Sequence, residues 1–348
     1  MNKYQIKELN LEAMHQAKRN WDGIATPLNS LGKLEDVIVQ CAGIFETDKV
    51  RIQKKAVVVM CADNGIVEEG VTQVGQEVTK IVAENMTTDK ATVALMSKHC
   101  GADLIVIDIG MASDSENADI VNKKVMYGTK NFAKECAMTI EQVEAAIQVG
   151  IDMVRQLKLL GYDVIATGEM GIGNTTTSSA IASCILNQDP GIVTGKGAGL
   201  SASGLLRKTQ LIQEALAKHN PNREDGIDIL AKIGGLDIAG MCGMFIGGAI
   251  YRVPILIDGF ISATAALVAQ TIDVRTKAFM IPTHVSAEPA GEMLLDALGL
   301  EPMLSLHMCL GEGTGAVMAF NILETASLIY NEMCNFQEIE IDAYEPFD

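Results

Sequence analysis

Short, largely apolar, β-branched runs set between helical stretches limit this chain more than any other feature. AVVVMCA (56–62), LIVIDIG (104–110), DVIATGE (163–169), PILIDG (254–259) and KAFMIP (277–282) lack the polar–apolar alternation of a strand with one wet face. A strand written this way is buried on both sides, so helices must lie above and below a parallel sheet. Helical segments such as TIEQVEAAIQVGIDMVRQLKLL separate the runs, and the alternation predicts an α/β fold with an open, doubly wound, mostly parallel sheet. Two more helices are read at 9–20 and 33–45, with the turn residues TPLNSLG between them. After about residue 290 the strand signals stop, and AVMAFNILETASLIYNEM carries helical spacing. The expected organisation is N-terminal helices over 1–50, a large layered domain over 51–290, and C-terminal helices over 291–348 that complete a small helical subdomain with the first.

Composition removes several function classes. At 348 residues and 48% apolar content the chain can bury a sizeable core. Its first twenty residues lack the apolar centre of a signal peptide, and no stretch approaches the roughly 18 apolar residues of a membrane span. A cytoplasmic location without membrane association is therefore expected. The formal charge of −17 repels phosphate backbones and no basic stripe offsets it, so no nucleic-acid partner is expected. A small anion remains compatible, because a local ring of backbone amides can bind phosphate against the global field. The eight cysteines form no CxxC pair and are read as small buried hydrophobes. The five histidines show no HxxxH or HxH spacing, and no bound metal or cofactor is expected.

In doubly wound sheets ligands sit outside the carboxyl ends of the strands. Asp63-Asn64-Gly65, Gly168-Glu169, Asp258-Gly259 and Thr283-His284 follow the apolar runs and become candidates. Three glycine clusters stand out. In GEMGIGNTTTSSA, glycines at 171 and 173 allow a tight turn after a strand, and free amides at the following helix start would face an anion; read alone, it is equally a glycine turn with a Thr cap. VTGKGAGL (193–200) nearly imitates a phosphate-binding P-loop, but Pro190 and Gly197 stand where a glycine and a Ser or Thr are required. In LGEGTGA (310–316), Gly311 and Gly313 leave Glu312 unshielded, although Glu312 could simply complement the dipole of the next helix.

CADNGIVEEGVT, QEVT, GEMGIGNTT, GKGAGL with Lys208, DGIDIL, GGLDIAGM, ILIDGFISATAAL, THVSAEP and LGEGTGAV occur in this order. The ordered set resembles the nicotinate-mononucleotide:5,6-dimethylbenzimidazole phosphoribosyltransferases of cobamide biosynthesis. The resemblance implies a Rossmann-like large domain, a small helical domain from both termini, and a homodimer or a heterodimer with a related chain. It implies nicotinate mononucleotide and an aromatic base as the substrates. It places Glu312 on the catalytic base, Glu169 on a second carboxylate beside the sugar, and Lys208 on a phosphate contact. Gly171, Gly173, Asn174, Thr175, Thr176 and Gly197 would cradle the 5′-phosphate, with Ser262 and Ser286 in the nucleotide pocket and Val74 and Val82 lining the acceptor pocket. Many members read Tyr-Pro where this chain has Val74-Gly75.

The chemistry fits these residues. The leaving group of nicotinate mononucleotide is already a pyridinium, so no metal is needed to expel it. Positive charge grows on the ribose as the bond breaks, which a nearby carboxylate stabilises. The acceptor must lose a proton, and burial between glycines is expected to raise the pKa of Glu312 toward that of a useful base. A catalytically silent paralogue supporting an active partner is the alternative. A nicotinamide-dependent oxidoreductase is disfavoured, because G-x-x-G-x-G is not the dinucleotide fingerprint.

Overall fold

A computed structural model describes residues 4–197 and 199–344; Ala198 of the second glycine cluster lies outside them. Among the described residues the sheet has six strands: β1 (Lys55–Ala62), β2 (Asp103–Gly110), β3 (Ile120–Asn122), β4 (Val164–Met170), β5 (Ile255–Ile257) and β6 (Met280–Pro282). Every neighbouring pair is parallel, in the order β3-β2-β1-β4-β5-β6. The β-branched runs explain the strands, since branched side chains pack well on a pleated surface buried on both faces. Along β1, Ala56, Val58 and Met60 join one core while Val57, Val59 and Cys61 join the other.

Two expectations need correction. β3 is absent from the sequence reading: only its Ile120 is buried, and three residues are too few to show a period. In KAFMIP only Met280–Pro282 is strand, because Asp273 caps a preceding 3-10 turn over Val274–Phe279 by accepting from the Arg275 amide. The cysteines also divide: Cys41, Cys61, Cys100 and Cys242 are buried, whereas Cys136 and Cys309 are exposed, and all eight are free.

On one face of the sheet the Ile140–Leu159 and Leu236–Tyr251 helices pack backbone to backbone. A Cβ on Gly150 would lie 2.0 Å from the Gly240 carbonyl oxygen, and one on Gly243 would lie 2.0 Å from that of Ile147. Only glycine permits that approach, which brings both helices close over β1. The other face is covered by the Lys33–Phe45, Glu77–Met86, Thr92–His99 and Thr314–Glu332 helices. The helix read at 9–20 forms over Leu11–Gly23, where the Asn10 side chain accepts from the Ala13 amide at 3.0 Å. The Trp21 ring lies 5.2 Å from that of Tyr330, and Ile24 bridges to Asn335, so the two ends of the chain meet on this face. Among the described residues no helix is long and apolar enough to cross a membrane.

Connections from β1 run outward to β2 and β3, and those from β4 run the opposite way to β5 and β6. The strand order therefore reverses between β1 and β4. A crevice opens at such a switch point, outside the carboxyl ends of the strands.

Candidate active site

β4 delivers Glu169 to this crevice, and the chain then turns through Gly171–Gly173 into the Asn174–Leu186 helix. Glu169 is buried; its Oε2 accepts from Asn174 Nδ2 at 2.7 Å, and its Oε1 accepts from the Glu312 backbone amide at 3.2 Å. The same Asn174 nitrogen donates to Asp237 Oδ2 at 3.1 Å. Opposite stands the loop before the last long helix, where Gly311, Glu312 and Gly313 have φ of +84°, +64° and +89°. Glycine takes such angles freely, but for Glu312 the left-handed region costs about 1 kcal/mol. Asp258, just after β5, holds the loop: its carboxylate accepts from the Gly313 amide at 3.2 Å and the Ala316 amide at 2.9 Å.

The enclosed cleft has a volume of about 250 Å³. Carboxyls dominate it, with Glu169, Asp258, Glu288 and Glu312 in its lining beside His284, Cys309 and Leu310. Burial, then the charges of Asp237 and Asp258, raise Glu169 well above the usual carboxylate range. Burial pushes Asp237 up to about 7. Glu312 is raised by burial and next by Asp258, while Asp258 itself is raised by burial against the opposing pull of His284. At one end lies Lys208, whose Nζ donates to Thr175 Oγ1 at 3.0 Å and to the Gly195 carbonyl at 3.1 Å. Burial brings this ammonium down to about 8, with Glu288 acting in the other direction. An anion beside Thr175 would complete its charge and keep it protonated.

A family model described as phosphoribosyltransferase matches residues 6–341. The nicotinate-nucleotide–dimethylbenzimidazole phosphoribosyltransferase of Ruminiclostridium cellulolyticum is 45% identical over 343 residues, covering 99% of this chain and 97% of that one. The chain belongs to this phosphoribosyltransferase family. The member from Clostridium acetobutylicum is 46% identical over 341 residues, covering 98% of this chain and 97% of its own. A crystal structure of CobT from Thermus thermophilus superposes with a TM-score of 0.90 at 34% identity, covering 96% of this chain and 100% of that one. The protein is thus a phosphoribosyltransferase, and the silent-paralogue alternative finds no support in these names.

For a member of the dimethylbenzimidazole phosphoribosyltransferase family, the expected site residues divide clearly. Glu169, Gly171, Asn174, Thr175, Gly197, Ser286 and Glu312 all line the cleft, with Lys208 directly behind Thr175. Thr176 is turned into the core, and the Asn174 and Thr176 amides donate to the carbonyls of Gly171 and Gly173. Closing the tight turn uses these two amides, so they are not free for an anion. Ser262 lies behind the cleft: its hydroxyl accepts from the Asp258 amide at 3.1 Å and bonds the Thr167 hydroxyl at 2.6 Å. Gly173 and Val74 line a neighbouring cavity of about 70 Å³ that shares Gly171, Ile172, Asn174 and Thr175 with the main one. Val82 lines neither cavity, because its face of the Glu77–Met86 helix packs on the core with Ala83 and Met86. Asp258 and His284 carried a signal, since each closely follows a buried strand. Asp237, Glu288 and Cys309 carried none beyond their place in quoted or glycine-rich segments.

Proposed function

We propose that the protein transfers the phosphoribosyl group of nicotinate mononucleotide to an aromatic base, giving an α-riboside 5′-phosphate and nicotinate. The observation that carries this reading is the pairing of Glu312, held over the cleft on a left-handed loop, with Glu169 buried beneath it. Lys208 and Thr175 take the 5′-phosphate, which directs the ribose toward Glu169. The C1′–nitrogen bond breaks with its electron pair passing to the pyridinium nitrogen, so nicotinate leaves with a neutral ring nitrogen. Glu169 opposes the positive charge that grows on the sugar. The acceptor attacks C1′ from the opposite face and gives its proton to Glu312. We further read the protein as a cytoplasmic dimer, either a homodimer or a heterodimer with a related chain.

The test is direct. Purified alone, the protein is incubated with nicotinate mononucleotide and dimethylbenzimidazole in excess EDTA, and products are read by mass spectrometry. The α-riboside phosphate is expected without added metal, since the cationic leaving group needs no Lewis acid. No product from the chain alone overturns the reading, and product formed only on adding Mg²⁺ shows that the pyridinium does not leave without a Lewis acid.

A further inference from the structure

Asn174 has one side-chain nitrogen with two hydrogens, and the structure commits both to carboxyl groups. One goes to Glu169 Oε2 at 2.7 Å and the other to Asp237 Oδ2 at 3.1 Å. All three side chains are buried. Glu169 lines the cleft, whereas Asp237 does not. Its carboxyl is closely packed on two sides: a Cβ on Gly171 would come within 2.8 Å of Oδ2, and one on Gly235 within 2.6 Å of Oδ1, which is buried without a hydrogen-bond partner. The turn leading to the cleft thus passes directly over Asp237.

We propose that Asp237 is a positioning residue of the transfer reaction, acting through the Asn174 amide on Glu169 to set how readily Glu169 meets a cation with negative charge. Two ionised carboxylates bracketing one amide in a dry interior repel strongly, so the pair titrates as a unit. The surrounding groups do not relieve this repulsion. Asp258 faces Glu169 from the end of β5, Glu312 lies above it, and Asp63 faces Asp237 from the end of β1. His284 acts on Asp258. Among the charges acting on Glu169, that of Asp237 is the largest. With no cation beside it the pair retains protons. Only molecules whose Glu169 has already lost its proton to solvent oppose the charge that grows on the sugar. Asp237 therefore fixes the pH above which Glu169 serves the reaction.

The inference rests on the proposed function, and its test separates the two. kcat/KM for nicotinate mononucleotide is followed against pH in the wild type, in Asp237→Asn and in Asn174→Ala. Asp237→Asn keeps the shape and an acceptor oxygen but removes the charge. Its acid limb moves to lower pH by on the order of one unit. Asn174→Ala removes the donor that favours ionised Glu169, and its limb moves to higher pH. If Asp237→Asn fails to fold, Asp237→Ser, which also removes the charge, takes its place, with the same acid-limb shift to lower pH expected. A folded variant that loses rate with its limb unmoved shows a merely structural role and overturns the inference. A wild type that does not turn over nicotinate mononucleotide defeats the proposed function instead.

Discussion

Glu312 combines two costs, a left-handed backbone and a half-buried carboxylate, and both come with its place in the lining of the cleft, where the proposed mechanism needs a base. Glu312→Gln preserves the geometry of the loop and removes only the basicity. Nucleotide binding should survive while kcat falls on the order of 10²-fold, the usual scale for a lost general base. A near-normal rate removes Glu312 from the mechanism. Because burial raises Glu312 and only its ionised form accepts a proton, activity should rise as pH rises through that raised value. Lys208→Ala should raise KM for nicotinate mononucleotide more than KM for the acceptor, since in the proposed mechanism its charge faces the 5′-phosphate and not the acceptor; equal effects on both mark the lysine as structural. Glu312 was legible as a candidate because the glycines on either side leave its carboxylate unshielded, and Glu169 because it directly follows a buried strand. Thr176 and Ser262 do not fit their expected places because a motif states which residues are close in sequence, not which way a hydroxyl points. Asp237 was silent because its partner, Asn174, lies far away along the chain.

Among the elements, the paired helices over β1 make the sharpest claim. Gly150→Val places methyl groups where the Gly240 carbonyl already lies, an overlap that the backbone must absorb at about 1–3 kcal/mol or more. Urea unfolding should show a lower midpoint with an unchanged slope; an unmoved midpoint means the helices are not in close contact. Val74 lines a cavity that shares four residues with the main cleft, and the Val74-Gly75 pair stands where the family resemblance leads one to expect Tyr-Pro. An apolar contact discriminates by only about 1–3 kcal/mol per methylene-sized difference. Equimolar competition among dimethylbenzimidazole, benzimidazole, phenol and p-cresol should therefore yield more than one riboside; dimethylbenzimidazole riboside alone refutes the point. Strands buried on both faces were readable from short apolar runs without polar alternation. β3 was not, because an edge strand with one buried residue has no pattern to read, and strand order resides in pairings between distant segments.

For the molecule as a whole, buried carboxyls tie stability to pH. The ordinary pKa of Asp237 is 3.8, and in the fold it is about 7. Between those values the folded chain binds more protons than the unfolded one, so this contribution is full at low pH and lost as pH rises through about 7. Glu169, also raised, acts with the same sign. From about pH 5 to about pH 8 the unfolding free energy of Asp237→Asn should fall less than that of the wild type; parallel curves refute the assignment. The strand order has one more consequence, for how the protein is made. β1 stands beside β4, so the centre of the sheet waits while a ribosome adds β2, β3 and the long helix after them. Glu312 emerges only after β6, when every strand already exists. A nascent chain stalled short of that residue has the whole sheet and Glu169 but no base. Translation thus delivers the candidate base last, together with the Thr314–Glu332 helix that covers one face of the sheet.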